Sequence, residues 1–497
     1  MVAVAVVSIP LAYLAVRTSE AGWARIADEL FTVRVGLLAV RTLGLAAVVT
    51  AGCLVLGVGS AFLVARTDLP ARRTFGVLAA LPLAVPTYLA GFAWTSTVDG
   101  FQGFWPAALV LTLCSYPYVF LPVAAALAGC DPAQEEVSRS LGRGGWRTFT
   151  DVTLHQIRPA LTGGALLVAL YVLSDFGAVS IVRTDTFTRA IFVAFDLGFN
   201  RTGALVLSSV LVVLTAVVLA GETASRRRSA RYARIGGAQR PPARLRLRWA
   251  RWPAVGVLVA VAGLALGITA VSLARRMADG VSRPGTWTDV AAAAGNSLWL
   301  SLAGAALTML LALPLGVLTA RAPSPMTSTL NRLSYLSHAL PGLVIGLSLV
   351  FFGINVAYPL YQTSWLLALA YAALFLPLAV AAVAGAAAHA PPVLEDVARS
   401  LGRGPLTVLR TVTLPLTLPG IGAGAVLVFL TCMKELPATL LLRPTGTDTL
   451  ATELWTHTTV AAYAAAAPYA ALLVVLSSVP TWLLAARTGI LVKEVRS

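Results

Sequence analysis

Charge is scarce in this chain: 12% of its 497 residues are charged and 58% are hydrophobic, with a mean hydropathy of +0.82. Soluble domains carry roughly 25% charged residues, so a soluble globule is excluded. Lysine is nearly missing. The two present, Lys434 and Lys493, follow Met433 and Val492, so there is no glycine-rich Gly-Lys-Ser/Thr loop to cradle nucleotide phosphates. The four histidines, His155, His338, His389 and His457, are isolated in sequence. The four cysteines, Cys53, Cys114, Cys130 and Cys432, lie in or beside apolar runs without metal-ligand spacing, as small core or lipid-facing residues do. No nucleophile motif, bound metal or cofactor, or disulfide framework is predicted.

What is abundant is apolar sequence. Crossing a hydrocarbon core of about 30 Å takes roughly 20 helical residues, and runs of that kind recur at 1–16, 37–65, 75–97, 105–128, 160–182, 203–221, 252–274, 295–320, 334–354, 364–389, 420–442 and 467–486. The fold expected is an all-α polytopic membrane protein of about twelve transmembrane helices. The apolar start has no basic n-region or cleavage site and reads as a first transmembrane helix, not a signal peptide. Trp23, Trp105, Trp252, Trp287, Trp365 and Trp482 fall near expected helix ends, where aromatic residues anchor at the interface.

The formal net charge of +16 suggests nucleic acid until the positions are examined. Ten arginines fall between Arg226 and Arg251, in a segment joining two apolar halves, and others lie in short loops such as Arg66 to Arg73. Excess Arg in short loops marks the cytoplasmic side. One orientation puts every basic loop and both termini in the cytoplasm, and no nucleic-acid partner is expected.

The halves also repeat each other. VSRSLGRG at 137–144 returns as VARSLGRG at 397–404 and VTL at 152–154 as VTL at 412–414, both offset by 260, while the segments around Arg41 and Asn296 match at an offset of 255. Six helices separate equivalent points, so the halves share one orientation, as parallel repeats do. The organisation expected is a first helix and external loop at 1–36, a module at 37–221, a basic linker at 222–251, a helix and external loop at 252–294, a second module at 295–487 and a tail at 488–497.

The strongest motif is the loop after the fourth helix of each half, DPAQEEVSRSLGRGGWRTFTDVTLHQIRP and PPVLEDVARSLGRGPLTVLRTVTLPLTLP. Proline and carboxylates in the first turn suit a helix N-terminus, and a glycine six residues after the acid permits a sharp turn. These loops resemble the cytoplasmic loop of ABC importer permeases, which reads EAA, three residues, G, nine residues, then I-x-L-P. The resemblance implies that Glu136, Ser138, Gly142, Arg143, Val152 and Leu154 of the first half dock an ATPase subunit. In the second half it implies the same for Asp396, Ala398, Gly402, Arg403, Val412, Leu414 and Pro415. His155 stands where the family has proline, which should loosen the exit of the first loop. The family further implies two ATPase copies carrying ATP and Mg, a periplasmic or lipid-anchored substrate-binding protein, and an inner-membrane location.

Ionisable residues at membrane depth are rare and face cavities or one another. The fifth helix of each half carries some: Asp175 in LSDFGAVSIVRTDTFTRAI, and Lys434 with Glu435 in MKELPATLLLRPTGTDTLAT. They are candidates for the translocation pathway, or for structural pairs involving Lys434 or Arg443. These stretches look like the fused ferric-iron permeases, though permeases for thiamine or aminoethylphosphonate share them. Ferric iron is a hard cation that prefers oxygen ligands, which suits Asp175 and Glu435. An ion-coupled secondary carrier is the rival reading, and it has no ATPase for the duplicated loops to dock.

Overall fold

The computed structural model describes residues 2–20, 22–197, 200–229, 245–279, 286–321, 324, 326–327, 340–389 and 392–487. Among the described residues nine helices are long and apolar enough to cross a membrane, ten if the bent pair Arg72–Ala84 and Thr87–Thr95 is one span, with Gly342–Asn355 shorter. Every regular element described is helical. Lipid offers a backbone no partner, so helices that satisfy their own N–H and C=O groups are the available spanning form.

Three of the twelve expected spans are not continuous helices. The span at 75–97 bends by 92° between Ala84 and Thr87, where Pro82 and Pro86 lack an N–H and fix φ. The span at 160–182 ends at Ser174 and resumes as Gly177–Ile181, and the one at 420–442 ends at Lys434 and resumes as Pro437–Leu442. Of the span expected at 334–354, residues 334–339 lie outside the described residues, as do 230–244 of the basic linker.

Contacts group the chain into two compact units, each best described alone. One is built from residues 31–193 and 213–280. Its axis is Val33–Arg66, 34 residues and about 50 Å long at 1.5 Å per residue, packed on Pro117–Ala128 and Leu154–Ser174. Glycine lets the backbones close up: a Cβ on Gly57 would lie 2.7 Å from the Val119 Cβ. Between membrane helices such close packing supplies the association that hydrophobicity cannot. The other unit comprises 1–30, 194–212 and 281–484. There Trp287–Arg321 packs on Ser364–His389, and a Cβ on Gly316 would lie 2.6 Å from the Val383 Cβ.

Sequence order suggests that each half keeps its own first helix, but the packing exchanges them. Val2–Glu20 belongs to the unit of the second repeat. Val6 joins the core around Leu300 and Met309, the Tyr13 ring meets Phe352 edge-on at 6.1 Å, and the Thr18 hydroxyl lies 3.0 Å from Ser209. Conversely Arg251–Ala262 and Ile268–Asp279 pack on the first repeat: Ala254 and Leu258 bury against Leu69, and Ser272 lies 2.8 Å from Ser96. The described end of the linker is fastened there too. Leu245 donates to the Arg66 carbonyl at 2.8 Å, and its own carbonyl accepts from the Asp68 N–H at 3.1 Å. The half-buried Asp68 carboxyl is held below its ordinary range by the Leu247 N–H, with Arg251 adding to the effect.

Candidate functional site

Each elbow begins with a short helix, Pro132–Ser140 or Pro392–Ser400, and the helix stops at the predicted glycine. Gly142 and Gly402 sit at φ +78° and +77°, the left-handed region open to glycine. The next residue closes the turn: Arg143 N–H donates to the Ser138 carbonyl at 3.2 Å and Arg403 N–H to the Ala398 carbonyl at 3.1 Å, the bond of a Schellman ending. A second short helix follows, Gly145–Thr148 or Pro405–Val408, then one wide π-type turn, Phe149–Thr153 or Leu409–Thr413, and the next long helix.

The carboxylate that anchors each elbow is the residue before the motif acid. Glu136 and Asp396 are exposed, whereas Glu135 and Glu395 are buried. Arg66, the last residue of Val33–Arg66, bonds Glu135, and both side chains are buried. Arg321, the last residue of Trp287–Arg321, pairs with Glu395 at 2.8 Å. Each carboxylate also accepts from the π-turn: Glu135 takes the Thr153 hydroxyl at 2.8 Å on its other oxygen, and Glu395 takes the Thr413 hydroxyl at 3.0 Å on the oxygen that meets Arg321. The helix's own arginines, Arg139 and Arg399, complete each cluster. One carboxylate thus ties the short helix to two long ones. The clue was in the sequence: Arg66 and Arg321 at the 255 offset, with Glu135/Glu395 and Thr153/Thr413 at 260.

The other motif residues divide between inside and outside. Ser138 is buried and meets the Thr148 hydroxyl at 3.2 Å, Ala398, Val152, Val412 and Leu154 are half-buried, and Leu414 and Pro415 are exposed. Arg143 pairs with Asp151 at 2.9 Å, and Arg403 is exposed. Both exit helices start at the matching leucine, Leu154 or Leu414, followed by His155 in one and Pro415 in the other. Apolar side chains face outward on both elbows. Leu141 is 73% exposed, Trp146 77% and Leu401 75%, with Val137, Val397 and Leu406 beside them. Exposed apolar groups of this kind occur at protein–protein and membrane interaction sites.

The fifth-helix carboxylates each sit at the break in their helix and cap the short helix beyond it. Asp175 Oδ1 accepts from the N–H groups of Ala178 and Val179 at 3.0 and 3.3 Å, and Oδ2 from the Thr87 hydroxyl at 2.5 Å. Glu435 accepts from Ala438 and Thr439 N–H, each at 2.9 Å, and from the Thr439 hydroxyl at 2.8 Å. Arg443, considered as a partner for this region, pairs with Asp448. A Cβ on Gly342, the counterpart of Thr87, would lie 2.7 Å from Glu435 Oε1. The longer acid therefore fills the space that threonine occupies in the first repeat.

The pattern of two elbows and two capped breaks matches a known architecture. A family model for the binding-protein-dependent transport system inner membrane component matches residues 53–231 and again 312–487. The chain belongs to that family. Each match contains one elbow and one break. Over 479 residues the chain is 39% identical to the Fe(3+)-transport system permease protein FbpB 2 of Haemophilus influenzae, covering 96% of this chain and 95% of that one. The sulfate transport system permease protein CysT of Escherichia coli is 28% identical over 232 residues, 83% of its length but 42% of this chain. The molybdate/tungstate transport system permease protein WtpB of Thermococcus kodakarensis is 25% identical over 171 residues, 67% of its length and 33% of this chain. Permeases of that size correspond to one repeat here. The chain is a two-module, multi-pass transport subunit of the ABC importer class, not an enzyme.

Glu135→Ala leaves Arg66 buried without its partner and should cost about 3–5 kcal/mol, lowering the thermal unfolding midpoint of the purified protein, whereas Glu136→Ala should leave the midpoint in place; equal effects would refute the anchor. Asp175→Ala removes a cap worth about 1 kcal/mol and strands the Thr87 hydroxyl. Asp175→Asn keeps an acceptor oxygen for the cap, so it should retain most transport. Loss of uptake in Asp175→Asn at an unchanged melting midpoint would show that the carboxylate meets substrate.

Proposed function

We propose that this chain is the permease of an ATP-driven importer for ferric iron, with one ATPase subunit docked on each elbow. The observation that carries the proposal is the pair of elbows in register, each rigidly tied to two long helices by a buried carboxylate and presenting an apolar outer face. Nucleotide and Mg belong to the two ATPase subunits. Movement of a docked subunit reaches Val33–Arg66 through Arg66 and Trp287–Arg321 through Arg321, as alternating access requires.

The arginine-rich linker puts the elbows and both termini on the cytoplasmic side of a bacterial inner membrane. A periplasmic or lipid-anchored binding protein then delivers substrate to the opposite face. Ferric iron is favoured by the 39% identity, nearly end to end, with a protein named for Fe(3+) transport, against partial matches to the sulfate and molybdate/tungstate permeases. Asp175, Lys434 and Glu435 bear on the pathway through the breaks in the fifth helices. Both carboxylates already accept several bonds from their own chain, so neither is assigned as an iron ligand.

The test is uptake by proteoliposomes holding the permease, its ATPase and its binding protein. Radiolabelled ferric iron should accumulate with ATP, and sulfate should not; the reverse would refute the substrate while sparing the docking claim. Leu141→Asp combined with Leu401→Asp should abolish co-purification of the ATPase and reduce uptake at least tenfold. Wild-type co-purification in that variant would refute docking at the elbows.

A further inference from the structure

A cavity of about 450 Å³ opens at the end of the first-repeat unit remote from its elbow, lined by Arg34, Leu38, Arg41, Asp185, Arg189 and Val193 among others. Arg41 and Arg66 lie 25 residues apart on one helix, about 37 Å by its rise. That exceeds the roughly 30 Å of a hydrocarbon core, so the cavity and the elbow lie at opposite membrane faces. Three arginines and one carboxylate line it, leaving two positive charges in excess. Asp185 spans two of them, bonding Arg41 at 3.1 Å and Arg189 at 2.5 Å. Arg34 has no ion pair among the described residues.

The second repeat builds the same corner with a single arginine from another position: Asp448, the counterpart of Asp185, pairs with Arg443. A Thr-Asp-Thr run at 184–186 returns at 447–449. The N–H that follows it bonds a hydroxyl on the long helix in both repeats, Phe187 to Thr42 at 3.2 Å and Leu450 to Ser297 at 2.8 Å. By this alignment Arg34, Arg41 and Arg189 correspond to Asp289, Asn296 and Thr452. Asn296 holds the corner by donating to the Asp448 carbonyl at 3.0 Å. The fold therefore does not require the arginines. Nor do the ion pairs explain them: Arg41 and Asp185 are both about half exposed, and exposed pairs stabilise little.

We infer that this cavity is a binding site for an oxyanion, a phosphate or carboxylate group held by Arg34, Arg41 and Arg189. Guanidinium forks match such groups with paired hydrogen bonds, and Asp185 pre-positions two of the forks. The anion comes either from solution or from the headgroup of an anionic lipid. The inference rests on side-chain geometry and holds whichever substrate the importer carries.

The test places the permease in nanodiscs of phosphatidylcholine and titrates citrate and inorganic phosphate by calorimetry. A second arm, without either anion, asks whether phosphatidylglycerol is enriched around the protein. Arg41→Asn with Arg189→Thr, copying the second repeat, should weaken free-anion binding at least tenfold or abolish lipid enrichment, and the arm that responds identifies the source. Arg34→Gln, at an exposed position, should weaken the same signal and guards against misfolding of the double variant. Wild-type protein that binds neither probe, or variants that bind as wild type does, overturn the site. So does a variant defect confined to association with the binding protein.

Discussion

A backbone in hydrocarbon has no water to turn to, and that constraint governs where these helices can stop. A helix ending at membrane depth exposes N–H and C=O groups, each costing several kcal/mol if unpaired. The chain breaks its fifth helices all the same, and a carboxylate answers each break. Asp175 takes two N–H groups and the Thr87 hydroxyl; Glu435 takes two N–H groups and the Thr439 hydroxyl. The two repeats reach this with different residues. Aspartate with threonine in one becomes glutamate with glycine in the other, so that the added methylene occupies the place of the missing side chain. Compensation of that kind indicates that the break is what is being kept.

The elbows apply the same economy outside the lipid. A surface helix joined to the membrane domain by two loops would tilt independently of it. Glu135 and Glu395 prevent this by bonding the end of one long helix and the π-type turn that begins another. Removing one partner of a buried pair leaves an uncompensated charge, so the connection resists separation. Force applied to the apolar outer face has a stiff path to Arg66 and Arg321, while the glycine turns at Gly142 and Gly402 set the angle at which that face is presented.

Much of this was legible in the sequence, and what was missed has physical causes. Apolar runs, basic loops and the 260 offset gave the helical membrane class, the duplication and both elbows, because each depends on composition or local spacing. The anchoring acid, Glu135, was overlooked beside Glu136 because both lie in one helical turn, and only burial, a long-range property, tells them apart. Hydropathy counted through the breaks at Asp175 and Glu435, since one polar residue hardly lowers the average of a long apolar window. Exchange of the first helices between units was not legible at all. Val2–Glu20 and Arg251–Ala262 carry apolar faces that could pack on either repeat, and only the assembled contacts decide between them.

Duplication also supplies a control within the molecule. Where both repeats hold the same residue types in the same geometry, as at Arg66/Arg321 with Glu135/Glu395, the feature belongs to what both halves do. Where the geometry persists but the residues diverge, the fold does not demand the particular side chain. The corner near Asp185 is of this second kind: its backbone bond to the long helix recurs at Asp448, yet three arginines in one repeat stand against aspartate, asparagine and threonine in the other. Symmetry suits the docking of two equivalent subunits, whereas a single ligand approaching one face has no need of it. The excess of positive charge at this corner of one repeat therefore points to a one-sided task at the end remote from its elbow.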